Sequence, residues 1–221
     1  GIWPATLPVT QFLCRSRPIQ PANMTDKDDR PDRLIILGID PGTIIMGYGV
    51  VAVEGKKLTC LACDHVKFDS KRSPFERLED IYVAMGHILK EHQPDQVAME
   101  APFFGKNVQS MLKLGRAQGI IMAASLAHEA SVTEYSPRRV KQAVTGSGSA
   151  SKEKVAGMVA ATYGLSEMPA STDASDGLAV ATCHAYSINQ VIPNQSKAKQ
   201  GKKKTSSSWD AFLKANPDRI Q

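Results

Sequence analysis

Leu34-Ile35-Ile36-Leu37-Gly38-Ile39-Asp40-Pro41-Gly42-Thr43, followed closely by Gly47-Tyr48-Gly49-Val50-Val51-Ala52-Val53, decides the fold. A short β-branched run that ends in a carboxylate and a Pro-Gly turn reads as a buried strand with a functional end. The second stretch is β-branched again. Gly55-Lys56 then turns the chain into a third segment, Leu58–Phe68. Segments this close in sequence connect as antiparallel hairpins, so 34–40, 47–53 and 58–68 are expected to form a meander.

Downstream, strand and helix alternate. Ser73-Pro74-Phe75-Glu76 starts a helix: Ser73 is the N-cap, Pro74 takes the first helical position, and Glu76 closes a capping box. Phe75, Leu78, Ile81, Met85 and Ile88 are expected to bury one face of it. Pro94 ends that helix. Gln96–Glu100 and Ser131–Tyr135 read as short strands, and 107–129, 137–144, 152–163 and 173–188 as helices. Strand-helix-strand units after a meander predict an α/β fold, a mixed sheet with helices on both faces. The segment 34–188 is long enough to fold alone.

The ends read differently. Residues 1–33 carry five prolines and no sustained periodicity, and are expected to be a disordered extension, with 1–23 upstream of a native start at Met24. Residues 189–221 carry seven basic and two acidic residues and read as a basic, disordered tail, with Trp209, Phe212 and Leu213 its only bulky apolar cluster. The net charge of +5 therefore belongs to the tail. Within the middle, 106–154 still holds eight basic and three acidic residues, the pattern of a nucleic-acid face. No apolar run approaches the ~18 residues of a membrane span, and four cysteines do not make a disulfide scaffold. A cytoplasmic location is expected.

Asp40 and Glu100 each end an apolar run, where an unpaired carboxylate costs several kcal/mol. Each needs a partner, either a cation or a base; Lys56 or Arg116 is one candidate. Asp173 and Asp176 open the last helix, and their i, i+3 spacing puts both on one face. Taken alone, that pair also reads as helix capping. Together the four acids suit a hard cation such as Mg²⁺, and two such ions can drive phosphodiester cleavage. Cys60-x-x-Cys63 lacks a second such pair, so zinc is not expected.

These stretches resemble the RuvC family of Holliday-junction resolvases. The match runs through Gly38–Thr43 with Gly47-Tyr48-Gly49, Met99-Glu100-Ala101-Pro102-Phe103-Phe104, Lys106-Asn107, Leu112–Gly119, Val140–Gly146 and Asp173–Ala181, and covers roughly 34–188. Gly177 stands where the family usually has Ala, a departure expected to weaken helix propensity only slightly.

The resemblance implies a ribonuclease-H-like five-stranded mixed sheet and a homodimer that nicks two opposed strands of a four-way DNA junction, leaving 5′-phosphates. It implies that Asp40, Glu100, Asp173 and Asp176 are the catalytic, metal-binding acids. The expected cofactor is Mg²⁺, two ions per site, with Mn²⁺ as a substitute. It places Lys141 and Lys152 near DNA and Phe103 against bases at the junction centre, and it implies RuvA–RuvB as a partner. From the residues themselves, Lys106, Asn107, Lys113, Arg116 and Arg138 are further candidates along the phosphate backbone. Gly115 and Gly119 suggest close helix packing at a dimer interface. The Gly38–Thr43 stretch also resembles the first phosphate loop of actin-type ATPases, but those need a second lobe and a longer chain. Another nuclease of the same fold would also use such acids, although the Asp-x-x-Asp helix and the Phe-Phe-Gly-Lys-Asn segment favour the resolvase. A non-catalytic junction-binding module would be expected to lack one of the four acids, and all four are present.

Overall fold

The computed structural model describes residues 33–102, 107–165 and 171–191. The elements are β1 (Arg33–Asp40), β2 (Ile45–Glu54), β3 (Lys57–Lys67), α1 (Pro74–His92), β4 (Gln96–Glu100), α2 (Val108–Ala127), β5 (Ser131–Tyr135), α3 (Pro137–Thr145), α4 (Lys152–Tyr163) and α5 (Thr172–Val191). One five-stranded sheet has the order β3-β2-β1-β4-β5. The meander pairs are antiparallel, whereas β4 joins β1, and β5 joins β4, in parallel. The expected mixed sheet with helices on both faces is what forms. Both tails lie outside the described residues.

Local chemistry sets the boundaries. Ser73 caps α1 by accepting from Glu76 N, and the Glu76 side chain returns the bond to the Ser73 amide, completing the capping box. Ser136 and Ser151 cap α3 and α4 with the serine half of that motif alone, accepting from Arg139 N and Lys154 N. Asp95 fixes where β4 meets β1: its carboxylate accepts from Ile35 N at 2.7 Å and its amide donates to Ile35 O at 2.9 Å.

Strand alternation divides β1 between two cores. Leu37 and Ile39 join Ile81, Met85 and Leu89 of α1 and Ile121 of α2 on one face. Ile36 joins Val140, Val155, Leu178 and Ala181 of α3, α4 and α5 on the other. Each fully buried aliphatic side chain contributes roughly 1.5–3 kcal/mol.

Phe75 does not belong to the buried face of α1; it is 74% exposed. At 3.6 residues per turn it sits about 120° from Ile81 but within about 20° of Tyr82, which is also exposed. Gly177 also marks a contact that helix propensity does not describe. A Cβ there would fall 2.5 Å from Tyr48 Cα, against backbone that cannot rotate away. Gly49 meets Leu178 and Gly47 meets the Asp173 carbonyl in the same way, so α5 rests on β2 backbone to backbone.

Candidate active site

Ile39 pairs with Met99 across the parallel β1–β4 ladder, so the next residues, Asp40 and Glu100, stand side by side at the carboxyl ends of adjacent strands. In α/β sheets this is where ligands bind. Ile39 and Met99 face α1 and α2, so by alternation Asp40 and Glu100 face α3, α4 and α5. There Asp40, Glu100 and Asp176 line one cleft of about 320 Å³ with Lys141, Lys152 and the apolar flanks of Val140 and Val155.

The acids are held from behind. Gln118, buried on α2, donates to the Glu100 carbonyl at 3.1 Å, and Ala101 N donates to Tyr135 O at 2.8 Å. The seat of Gly47, Gly49 and Gly177 fixes the height of α5, and with it Asp173 and Asp176. Ser171 caps α5 by accepting from Ala174 N at 3.1 Å, and its hydroxyl also meets His65 Nδ1 at 3.1 Å. Deeper in α5, His184 bonds both Tyr135 and Gln96, tying the helix to β5 and β4.

Electrostatics at the cleft are strained. Burial, then the charges of Glu100 and Asp176, push the Asp40 carboxyl up to about 7; the Lys152 charge opposes this. Burial and then Asp176 also raise Glu100, against the pull of Lys152 and Lys141. The cation that answers the acids is Lys152, not Lys56 or Arg116. Its Nζ lies 2.7 Å from Asp176 Oδ2, and this bond holds its own pKa above the ordinary value. Lys152 is 112 residues from Asp40, so nothing local in the sequence pairs them.

Oxygen donors alone, crowded until one resists ionising, match a hard divalent cation; no His or Cys lines the cleft. Among the described residues no three His, Cys, Asp or Glu side chains already stand at metal-holding spacing.

Of the other predicted residues, Asp173 sits half-buried one turn before Asp176. It does not line the cleft, but its charge reaches Asp40 and Lys152. Asn107 spends its side-chain oxygen capping α2, accepting from Ser110 N at 3.1 Å. Arg138 lies along the loop at Gly148. Lys113 and Arg116 line a different depression, with Thr43 and Arg77. Phe103 and Lys106 lie outside the described residues. The support that Gln118 gives Glu100 escapes a reading of the sequence, because it depends on contact between distant segments.

A family model described as crossover junction endodeoxyribonuclease RuvC matches residues 36–184. The crossover junction endodeoxyribonuclease RuvC of Christiangramia forsetii is 46% identical over 187 residues, covering 85% of this chain and 93% of that protein. That of Porphyromonas gingivalis is 44% identical over 193 residues, covering 86% and 99%. Thermus thermophilus RuvC in complex with Holliday junction substrate superposes with a TM-score of 0.65 at 34% identity, over 72% of this chain and 97% of that one. The yeast mitochondrial resolvase Ydc2, 12% identical with a TM-score of 0.52, shares the fold. No helix among the described residues is long and apolar enough to cross a membrane. With two strand-end acids and a third on α5 at one cleft, and relatives this similar over nearly their whole length, the chain belongs to the RuvC family of crossover junction endodeoxyribonucleases.

Proposed function

We propose that this chain resolves four-way DNA junctions in the cytoplasm, during recombination and repair, by hydrolysing one phosphodiester in each of two opposed strands to leave 5′-phosphates. The observation that carries this reading is the convergence of Asp40, Glu100 and Asp176 with Lys141 and Lys152 in one cleft. Asp40, Glu100, Asp173 and Asp176 are the residues that would hold Mg²⁺, two ions per site, with Mn²⁺ able to replace them. When bound, the ions supply an activated water and charge stabilisation for the leaving oxygen.

The chain's own groups do the rest. Asp40 and Glu100 present their carboxylates from a rigid sheet, so little reorganisation is needed once they are charged. Lys141 and Lys152 face the same cleft and can take the charge of the incoming phosphate, with Lys152 exchanging Asp176 for it. Phe103 stacks on bases at the junction centre, and Lys106, Asn107, Lys113, Arg116 and Arg138 track the backbone.

Paired nicks need two sites, hence a homodimer. Val108, Leu112 and Leu126 are exposed on α2, and Gly115 and Gly119 on that same stripe have open space around them. All five fall within about 40° of one line along the helix. A stripe of this kind supports pairing of α2 with its copy. RuvA–RuvB is the proposed partner on the junction.

A synthetic four-way junction and a linear duplex, each with Mg²⁺ or EDTA, test the reading. Symmetric nicks in the junction alone, and only with Mg²⁺, are expected; equal cutting of both DNAs, or cutting in EDTA, would overturn it. Leu112→Glu should give a monomer by sedimentation that no longer makes paired nicks. A Leu112→Glu protein that stays dimeric would remove the α2 stripe as the interface.

A further inference from the structure

Away from the carboxylate cleft, Arg77 of α1 and Lys113 and Arg116 of α2 line one notch, closed by Thr43 of the β1–β2 loop and the flanks of Leu78 and Ile81. Three cations around one depression repel each other unless something answers them. Elsewhere Arg33 pairs with Glu54, Arg72 with Glu79 and Asp80, and Lys152 with Asp176. Among the described residues no carboxylate lies at ion-pair distance from Arg77, Lys113 or Arg116. Arg77 donates from Nη1 to the Ser70 carbonyl at 3.2 Å, yet its Nε is buried without an acceptor. A buried guanidinium N–H with no acceptor is uncommon in a native fold.

Size narrows the ligand. The notch holds about 20 Å³, and a single water needs roughly 10–15 Å³. One oxygen-sized group enters; a base, a sugar or a small organic ligand does not. The occupant is therefore an anionic oxygen carried on something larger that stays outside. Thr43 follows Asp40 by three residues, so their Cα atoms are at most about 11 Å apart. At about 3.4 Å of axis per nucleotide, that is roughly three nucleotides of one strand.

We propose that this notch is a phosphate grip, with Arg77 its central member, for the DNA strand that enters the carboxylate cleft. It holds one phosphodiester oxygen a few nucleotides from the bond that is cut, and so sets the register of the cut. This proposal rests on the endonuclease reading above and adds Arg77 and Thr43 to it.

The test is junction binding in EDTA by the full chain, from about 50 mM to about 0.5 M salt, on junctions carrying single neutral methylphosphonates on either side of the cut. With the wild-type protein, one position within a few nucleotides of the cut should lower the salt slope by about one unit and the low-salt affinity by roughly tenfold. Arg77→Gln should cause the same loss on unmodified DNA and no further loss at that position. Additive losses at every position, or an unchanged slope for a folded Arg77→Gln protein, would overturn the grip. If Arg77→Gln does not fold, Arg116→Gln, at an exposed position, must show the same non-additivity. Inorganic phosphate matched for ionic strength should not compete; specific competition would mean that the notch takes free phosphate, not a strand. Cleavage of the unmodified junction by the wild-type chain is scored separately, so that failure of the endonuclease reading and failure of the grip alone are told apart.

Discussion

On one face of the sheet, Ile81, Met85 and Leu89 of α1 and Ile121 of α2 meet Leu37 and Ile39 through full-size side chains. On the other face, α5 reaches β1 and β2 through glycine: Gly38 against Ala181, Gly49 against Leu178, Gly177 against Tyr48. Side chains absorb small errors by changing rotamer, whereas backbone seated on backbone has no such freedom. The rigid contact lies under the helix that carries Asp173 and Asp176, and the forgiving one lies under helices that carry no acid of the site. The difference shows that this fold puts its positional precision beneath the chemistry and leaves ordinary packing for stability.

The largest break in that comparison is expected from one added methyl. Gly49→Ala would set a Cβ 2.7 Å from Leu178 N, and should cost about 3 kcal/mol or more in urea unfolding. Junction cleavage should fall well beyond the unfolded fraction, because α5 and its acids must lift. Retained wild-type cleavage would show that the seat does not position the acids.

Next in size is a pH effect. Asp40 has a pKa of about 7 in the folded chain against an ordinary value of 3.8, so between those values the folded state holds a proton that the unfolded state has released. Stability therefore falls as pH rises from about 4 to about 7. In EDTA the melting temperature should drop over that window. Asp40→Asn should shrink the drop to the smaller part that Glu100 contributes, and be more stable at pH 8, on the order of 2 kcal/mol after allowing for the open side of the cleft. Identical pH profiles for the two proteins would mean that the acids are not crowded.

The smallest effect belongs to the forgiving face. Ile81→Val should cost roughly 1 kcal/mol and leave the cleavage rate of the folded enzyme unchanged. A loss of rate comparable to that of Gly49→Ala would erase the contrast between the two faces.

Much of this was legible in the chain. Strand ends are marked by acids that break apolar runs, and the start of α1 by Ser73, because both signals are local. Phe75 misleads because i, i+3 spacing is tolerant by about 60° per step, and it drifts onto the Tyr82 side. The partner of the acids, Lys152, and the support of Glu100 by Gln118 depend on folding distant segments together. Gly177 escapes for another reason: an absent side chain gives no pattern, and its meaning appears only when β2 lies against it.

Cleavage is assigned to the half-buried acids of the cleft, and junction affinity to other residues. Asp40→Asn, assayed for both nicking and binding of a four-way junction with Mg²⁺, tests that division most directly. Binding is expected within about tenfold of wild type, because affinity comes mainly from phosphate contacts, together with loss of nicking by a factor of at least about 10³. An Asp40→Asn protein that nicks at the wild-type rate would contradict it.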